Sequence, residues 1–180
     1  MNLVILGAGQ YGQVVRETAE ALGYSVVFLD DKPPADTAAD PALVKGEISD
    51  WQKFDGLFFV AIGKIKDRMP LIEKLMASGK ELATLIHPRS YVSPSATIGC
   101  GSIVEPMAVV NAGVVIGKGV MVCAGAVVNH NAIIGDGCQI DANTTVPSGE
   151  TAPARTKVSE GTIWKNPNVR SEDYDFDATM

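Results

Sequence analysis

The sequence is short of the residues that metal sites and nucleic-acid interfaces need. It has only two histidines in 180 residues, too few for a three-histidine zinc site within one chain, so we expect no metal. Its net charge is −6 and it contains no cluster of Lys and Arg. Because phosphate contacts need clustered cations, we expect no nucleic acid among its partners.

Cysteines and long apolar runs are also scarce. The three cysteines, Cys100, Cys123 and Cys138, are odd in number and lack metal-type spacing, so we interpret them as packing residues in a reducing compartment. Residues 1–9 lack the basic start of a signal peptide. The longest apolar run, residues 57–62, is too short to span a bilayer. We therefore expect a cytoplasmic protein without membrane insertion.

A repeat of six residues dominates the second half of the chain. From Val92 onward, thirteen consecutive sixth positions are apolar, and eleven of them are Val or Ile. They are Val92, Ile98, Val104, Val110, Ile116, Val122, Val128, Ile134, Ile140, Val146, Ala152, Val158 and Trp164. A period of six fits neither an amphipathic helix nor an alternating strand. It is typical of a parallel β-helix, in which aliphatic side chains fill the interior and small residues turn the corners.

The first half of the chain has the order of a nucleotide-binding βαβ unit. An apolar run over residues 2–6 meets a glycine-rich turn, a helical pattern over 13–22 and a second strand over 25–29. Glycines let the backbone approach a phosphate, and a helix N-terminus offers N–H groups and positive partial charge. A third strand over 57–62, a helix over 66–76 and a fourth strand over 81–86 follow. The candidate nucleotide-binding residues are Gly7, Gly9, Gln10, Tyr11, Gly12, Asp30 and Gly63.

These patterns predict three parts. Residues 1–86 form an α/β, Rossmann-like nucleotide-binding domain, and residues 87–167 form the β-helix. Residues 168–180 form an acidic tail. A solenoid this narrow buries little area alone, because each repeat contacts only its neighbours, so a lone monomer is disfavoured.

The junction of the two domains carries a family signature. The segment Ile86-His87-Pro88 is followed by the hexad Val92-Ser93-Pro94-Ser95-Ala96. With the βαβ domain before it, this resembles the hexapeptide-repeat sugar acyltransferases of bacterial glycan biosynthesis. That group includes the bacillosamine N-acetyltransferases and the sialic acid O-acetyltransferases. The resemblance implies a left-handed β-helix and a homotrimer, with a UDP-sugar on the N-terminal domain and acetyl-CoA between adjacent β-helices.

The resemblance also implies that a histidine in the repeat moves the proton, and that histidine is His130. By the period Val128 points inward, so His130 lies near a corner and outside the core. A base with a pKa near 7 suits removal of a proton from the attacking amine or hydroxyl. Asn131 is the second candidate catalytic residue, at the position where family members often have an acid that orients the ring; it can hydrogen-bond but carries no charge. Ser148 and Gly149, one coil further on, are the candidates for an oxyanion donor and acyl-CoA contact.

Three functions therefore compete. The first is an acyltransferase that moves an acetyl-type group from acyl-CoA to an amino or hydroxyl group of a nucleotide-linked sugar. The second is a non-catalytic nucleotide-sugar-binding trimer, a scaffold or regulator without an acyl-CoA site. Asn131 and Gln139 favour it, because family members often have an acid and a second histidine there. The third, an NAD-linked enzyme, is disfavoured because four predicted strands make only about half of a full dinucleotide-binding sheet.

Overall fold

A computed structural model describes residues 1–32, 36 and 38–166. Its N-terminal unit is a three-stranded parallel sheet of order β2-β1-β3. The elements are β1 (Asn2–Leu6), α1 (Gln10–Ala21), β2 (Ser25–Leu29), β3 (Leu57–Val60) and α2 (Ile65–Ala77), with short 3-10 helices at Pro41–Leu43 and Ile48–Lys53. Residues 3–6 of the central strand β1 are almost completely buried, as expected for a parallel strand covered on both faces.

Helix α1 begins three residues earlier than the sequence pattern predicts. Gly9 is the N-cap residue, with extended backbone, and Gln10 opens the helix. Gly12 lies inside the first turn, where an added Cβ would collide with the carbonyl oxygen of Gly7. Gly12 therefore lets helix α1 pack closely against the turn at Gly7 and is not itself part of that turn. Gln10 and Tyr11 are helical.

The second unit is a triangular parallel β-helix of two-residue strands. Paired strands lie eighteen residues apart, as with Val104 and Val122, so three hexads make one coil. The strands are β4 (Leu85–Ile86), β5 (Tyr91–Val92), β6 (Thr97–Ile98), β7 (Ile103–Val104), β8 (Val109–Val110), β9 (Val115–Ile116), β10 (Met121–Val122), β11 (Val127–Val128), β12 (Ile133–Ile134), β13 (Gln139–Ile140), β14 (Thr145–Val146), β15 (Thr151–Ala152) and β16 (Lys157–Val158). Repeat positions from Val104 to Val158 fill one buried core, which agrees with the six-residue prediction.

Three sheets form the sides of the triangle. We call the sheet of β4, β7, β10, β13 and β16 the docking face. The second face contains β5, β8, β11 and β14, and the third face contains β6, β9, β12 and β15. Along the chain, each coil passes from the docking face to the second face and then to the third.

The predicted fourth strand over residues 81–86 is wrong. Leu82 makes only an isolated bridge to Phe58. Leu85–Ile86 instead pairs with β7, because Leu85 and Ile103 are one coil apart and continue the ladder of the docking face. We therefore propose that the domain boundary lies just before Leu85, slightly earlier than the sequence suggests.

The N-terminal unit covers the docking face. Ile103 and Met121 point outward from this face, yet they are 0% and 2% exposed. Arg68 of α2 is also buried, and its guanidinium donates to four carbonyl oxygens. Two belong to the loop between β3 and α2 and two to β-helix corners: Ile62 (3.0 Å), Gly63 (2.8 Å), Gly119 (3.3 Å) and Gly137 (3.0 Å). The buried Arg68 side chain thus hydrogen-bonds to both units.

The remaining predictions concern membrane insertion, metal ions, the cysteines and the C-terminal tail. No helix in the described part of the chain is long and apolar enough to cross a membrane. Within residues 1–32, 36 and 38–166, no group of three or more His, Cys, Asp and Glu side chains is placed to hold a metal ion. Cys123 and Cys138 are buried and Cys100 is half-buried. The predicted acidic tail, residues 168–180, lies outside the described residues.

Candidate active site

The glycine-rich turn lies at a switch point of the N-terminal sheet. The central strand β1 has β2 on one side and β3 on the other, so the connections leave β1 in opposite directions. Parallel sheets bind ligands at such a crevice, beyond the carboxyl ends of the strands. Gly7 adopts φ of 106°, and an added Cβ there would lie 2.9 Å from the carbonyl oxygen of Ala61. The turn therefore packs against the segment that leads from β3 to the exposed Gly63.

The first turn of α1 presents free donors to this crevice. The N–H groups of Gly9, Gln10, Tyr11 and Gly12 donate to no atom of the described residues. Such groups at a helix N-terminus attract anions. Asp30 supports the turn, since its carboxylate accepts from the N–H groups of Ala8 (2.7 Å) and Lys32 (2.8 Å). A carboxylate has about four acceptor positions, so Asp30 retains capacity for a ligand hydroxyl.

Tyr11 connects the turn to the β-helix through a residue that the sequence did not single out. Its hydroxyl donates to Oε1 of Glu105 at 2.9 Å, and Oε2 of Glu105 accepts from the N–H of Ala124 at 3.0 Å. Glu105 is only 6% exposed. Burial raises the pKa of the Tyr11 phenol, with the nearby Glu105 charge as a further cause, and burial also raises the pKa of Glu105. Tyr11 therefore remains a protonated donor at neutral pH.

His130 lies at the corner between the second and third faces, just after β11. It is exposed, and its Nδ1 lies 3.2 Å from the Oγ of Ser148 in the next coil. The Gly149 N–H donates to the His130 carbonyl at 3.0 Å. The Ser148 N–H has no partner within the described residues. Of the two candidate oxyanion donors, the one still available is therefore Ser148.

The side chain of Asn131 faces the neighbouring coil. Asn131 has φ of 59°, and its Oδ1 occupies the space over Gly113. No hydrogen bond joins it to His130 among the described residues, so the ring is oriented by Ser148 instead. The other histidine, His87, accepts from the Arg89 N–H at 3.0 Å through Nδ1 and stabilises a turn.

The two candidate sites lie on opposite sides of the β-helix. The His130 corner joins the second and third faces, so it is the corner opposite the docking face. The N-terminal unit, with its glycine-rich turn, covers the docking face. The histidine and the turn of one chain are therefore separated by the width of the solenoid.

Comparison with known proteins identifies the family. Residues 2–75 match the model of the PglD N-terminal domain, and residues 113–148 match that of the bacterial transferase hexapeptide (six repeats). The acetyltransferase domain of PglB from Neisseria gonorrhoeae FA1090, solved with acetyl coenzyme A, is 34% identical. That match covers 90% of this chain and 94% of the other, with a TM-score of 0.68. The chain belongs to the hexapeptide-repeat sugar acyltransferases.

Two further family members are similar over different lengths. A histidine-to-asparagine mutant of perosamine N-acetyltransferase from Caulobacter crescentus, in complex with CoA and GDP-perosamine, has a TM-score of 0.80. It is 28% identical, over 92% of this chain and 89% of that one. UDP-N-acetylbacillosamine N-acetyltransferase of Bacillus subtilis (strain 168) is 32% identical over 117 residues. That match spans 57% of this chain and half the length of the curated relative.

Family membership confirms two of the sequence predictions. The recognition of a hexapeptide-repeat sugar acyltransferase is confirmed. The fold class is also confirmed, with an α/β N-terminal domain followed by a left-handed parallel β-helix.

Proposed function

We propose that the protein transfers an acetyl-type group from acyl-CoA to an amino or hydroxyl group of a nucleotide-linked sugar, with His130 as general base. The observation that carries this proposal is the corner at His130. An exposed imidazole there has a fixed partner in Ser148, next to an unpaired backbone N–H. Relatives solved with acetyl coenzyme A, or with CoA and GDP-perosamine, support the choice of donor and acceptor class.

The chemistry needs a base on one side of the thioester carbonyl and a donor for its oxygen. When the Nδ1–H of His130 donates to the Oγ of Ser148, Nε2 carries the lone pair that takes the proton from the attacking group. The Ser148 N–H then stabilises the negative charge that develops on the carbonyl oxygen. The C–S bond of the thioester breaks as the amide or ester forms, and the leaving sulfur of CoA takes the proton from His130, so no covalent enzyme intermediate is required.

The acceptor would bind at the switch-point crevice of the N-terminal unit. The free N–H groups of residues 9–12 suit a diphosphate, because they combine donors with the positive end of the α1 dipole. Gly63 leaves room beside them, and Asp30 retains acceptor capacity for a ribose hydroxyl. The ligand class is therefore a UDP-sugar or a similar nucleotide-linked sugar.

The positions of the two sites favour a homotrimer. Within one chain the β-helix stands between the crevice and His130, so the sugar of one subunit would meet the His130 corner of a neighbour. The third face, beside that corner, exposes Val115 (47%) and Ile133 (48%). Exposed aliphatic ladders of this kind suit association of identical subunits, and three copies close a ring.

Titration calorimetry with acetyl-CoA tests the proposal most directly. The wild-type protein is expected to bind acetyl-CoA and to turn over a UDP-4-amino-sugar. His130→Ala is expected to keep binding of both ligands and to lose about 10²–10⁴-fold in kcat, the usual contribution of a general base. His87→Ala is the matched control and should leave kcat unchanged, since His87 only stabilises a turn.

The same titrations separate the competing functions. If a UDP-sugar binds but acetyl-CoA does not, the acyltransferase proposal is wrong and a nucleotide-sugar-binding scaffold or regulator replaces it. Full activity in His130→Ala would instead overturn the assignment of the base while retaining the reaction.

A further inference from the structure

Glu105 is a buried acid at the corner just after β7, where the β-helix meets Tyr11 of the N-terminal unit. Its carboxylate accepts from the Tyr11 hydroxyl at 2.9 Å and from the Ala124 N–H at 3.0 Å. The thiol of Cys123 and the carboxylate of Asp141 lie along the same corner, one and two coils further on. Glu105 has no ion pair within the described residues, so its charge is balanced by hydrogen-bond donors alone.

The tyrosine that Glu105 holds belongs to the nucleotide-binding turn itself. Tyr11 is the second residue of α1, between Gly9 and Gly12, and its backbone N–H is one of the four free donors. Asp30 holds the other flank of the turn through the Ala8 N–H at 2.7 Å. Two carboxylates, one from each structural unit, thus fix the direction of the donors between them.

Stability alone does not account for this acid. Ile103 and Met121 seal the neighbouring part of the same interface with apolar side chains. Burying a carboxylate there carries a desolvation cost that an apolar residue would avoid. Hydrogen bonds to the carboxylate, however, have defined directions. The acid therefore fixes the orientation of the Tyr11 side chain, which apolar packing alone would not define.

We propose that Glu105 is a positioning residue for the nucleotide site: through the Tyr11 hydroxyl it holds the first turn of α1 in the orientation that binds the diphosphate. This inference rests on the proposed function, because it assigns a nucleoside diphosphate to that turn. It assigns Glu105 no contact with substrate and no part in proton transfer.

Paired variants test the proposal by calorimetry with UDP, and with GDP in parallel. Glu105→Met removes the acceptor at similar volume, and Tyr11→Phe removes the donor and keeps the ring. Each is expected to raise the dissociation constant of the nucleoside diphosphate about tenfold, the effect of one lost hydrogen bond to a charged group, and to leave that of acetyl-CoA unchanged. The double variant should match the single variants, because both remove the same interaction.

Two further variants separate positioning from structural support. Glu105→Gln retains a hydrogen-bonding group for Tyr11 and is expected to restore nucleotide affinity to near the wild-type value. Glu73→Gln is the matched control, because it changes another Glu that joins the two units, the exposed partner of Arg155 at 2.9 Å. It should change neither dissociation constant. Melting temperatures identify any variant that fails to fold. If Glu105→Met fails to fold, Tyr11→Phe alone tests the proposal.

The results also distinguish this inference from the proposed function. Wild-type nucleotide affinity in folded Tyr11→Phe and Glu105→Met would overturn the positioning role and leave the acyltransferase proposal intact. Equal weakening of nucleotide and acetyl-CoA binding would reduce Glu105 to a general structural residue. A wild-type protein that binds neither UDP nor GDP would overturn the inference together with the proposed nucleotide site.

Discussion

At the scale of single residues, the Ser148 hydroxyl is the partner that orients the His130 ring. Replacing Ser148 by Ala removes the Oγ that lies 3.2 Å from Nδ1 but keeps the backbone N–H. We expect kcat to fall about five- to tenfold, the free energy of one hydrogen bond, with the KM for acetyl-CoA unchanged. Ser148→Thr keeps the hydroxyl and should retain most of the activity. Steady-state kinetics check this prediction. An unchanged kcat in Ser148→Ala would show that Ser148 does not orient the His130 ring.

Glu105 also makes stability depend on pH in a defined direction. Burial raises its pKa above the ordinary value of 4.5, so the folded state holds the proton more tightly than the unfolded state. The resulting stabilisation is present below pH 4.5 and is lost as the pH rises through the raised pKa. Glu105→Gln cannot lose a proton and avoids this loss. We expect the melting temperature of the variant, relative to the wild type, to increase from pH 4.5 to pH 8.

A difference in melting temperature that stays constant over this range would contradict the pH prediction. The other groups that face Glu105 are Tyr11, Cys123 and Asp141. Tyr11 and Cys123 have pKa values raised by burial and titrate well above this range, so they add no slope. Asp141 is paired with Lys157 at 3.2 Å and is present in both proteins.

The residues of the site differ in how far the sequence could predict them. The period of six places Val128 inward, and the eighteen-residue coil then brings Ser148 over His130. The contact of Tyr11 with Glu105 spans 94 residues and depends on how the two units dock. No local pattern encodes that geometry. The one available signal was an acid directly after the repeat position of Val104, within a region of small and aliphatic residues.

At the scale of elements, helix α2 is joined to the β-helix by Arg68. Arg68 is 1% exposed, and its guanidinium donates to four carbonyl oxygens, two in each unit. Arg68→Met would leave those oxygens without their buried donor and is expected to destabilise the protein by about 2–4 kcal/mol. Arg68→Lys should recover only part of this, because one ammonium lacks the planar fork of donors. Urea denaturation measures both, and a loss below about 0.5 kcal/mol would show that water satisfies the carbonyls.

Elements with a strict period were predicted well, and those at the junction were not. Each two-residue strand of the β-helix follows from a repeated inward Val or Ile, and β1 and β2 follow from short apolar runs. Residues 82–86 are also mostly apolar, but Leu85–Ile86 extends the docking face of the β-helix. A short, mostly apolar segment fits either sheet, so only the spacing of one coil between Leu85 and Ile103 decides which sheet it joins. The early start of α1 at Gln10 was hidden because a glycine, here Gly12, usually marks a turn.

At the scale of the whole molecule, the third face of the β-helix is expected to be an interface between copies. Ile133 is 48% exposed on β12 and belongs to a ladder with Val115. Ile133→Glu would place a charge in that interface, and we expect the proposed trimer to dissociate to a monomer with loss of activity. Leu22→Glu is the control, because Leu22 is an exposed apolar residue (39%) on the N-terminal unit. Light scattering gives the mass of the assembly. An Ile133→Glu protein that is still a trimer would show that the interface lies on another face.

The separation of the two sites predicts that inactive subunits rescue one another. One variant, His130→Ala, lacks the base, and a second, Gly9→Trp, has a blocked nucleotide turn. If each active site uses the turn of one subunit and His130 of the next, random mixing of the two in equal amounts restores about a quarter of the sites. If both come from the same subunit, no mixed trimer contains an intact site and activity stays absent. Activity of the co-refolded mixture, measured beside each variant refolded alone, therefore decides whether the docked N-terminal unit serves its own β-helix or the neighbouring one.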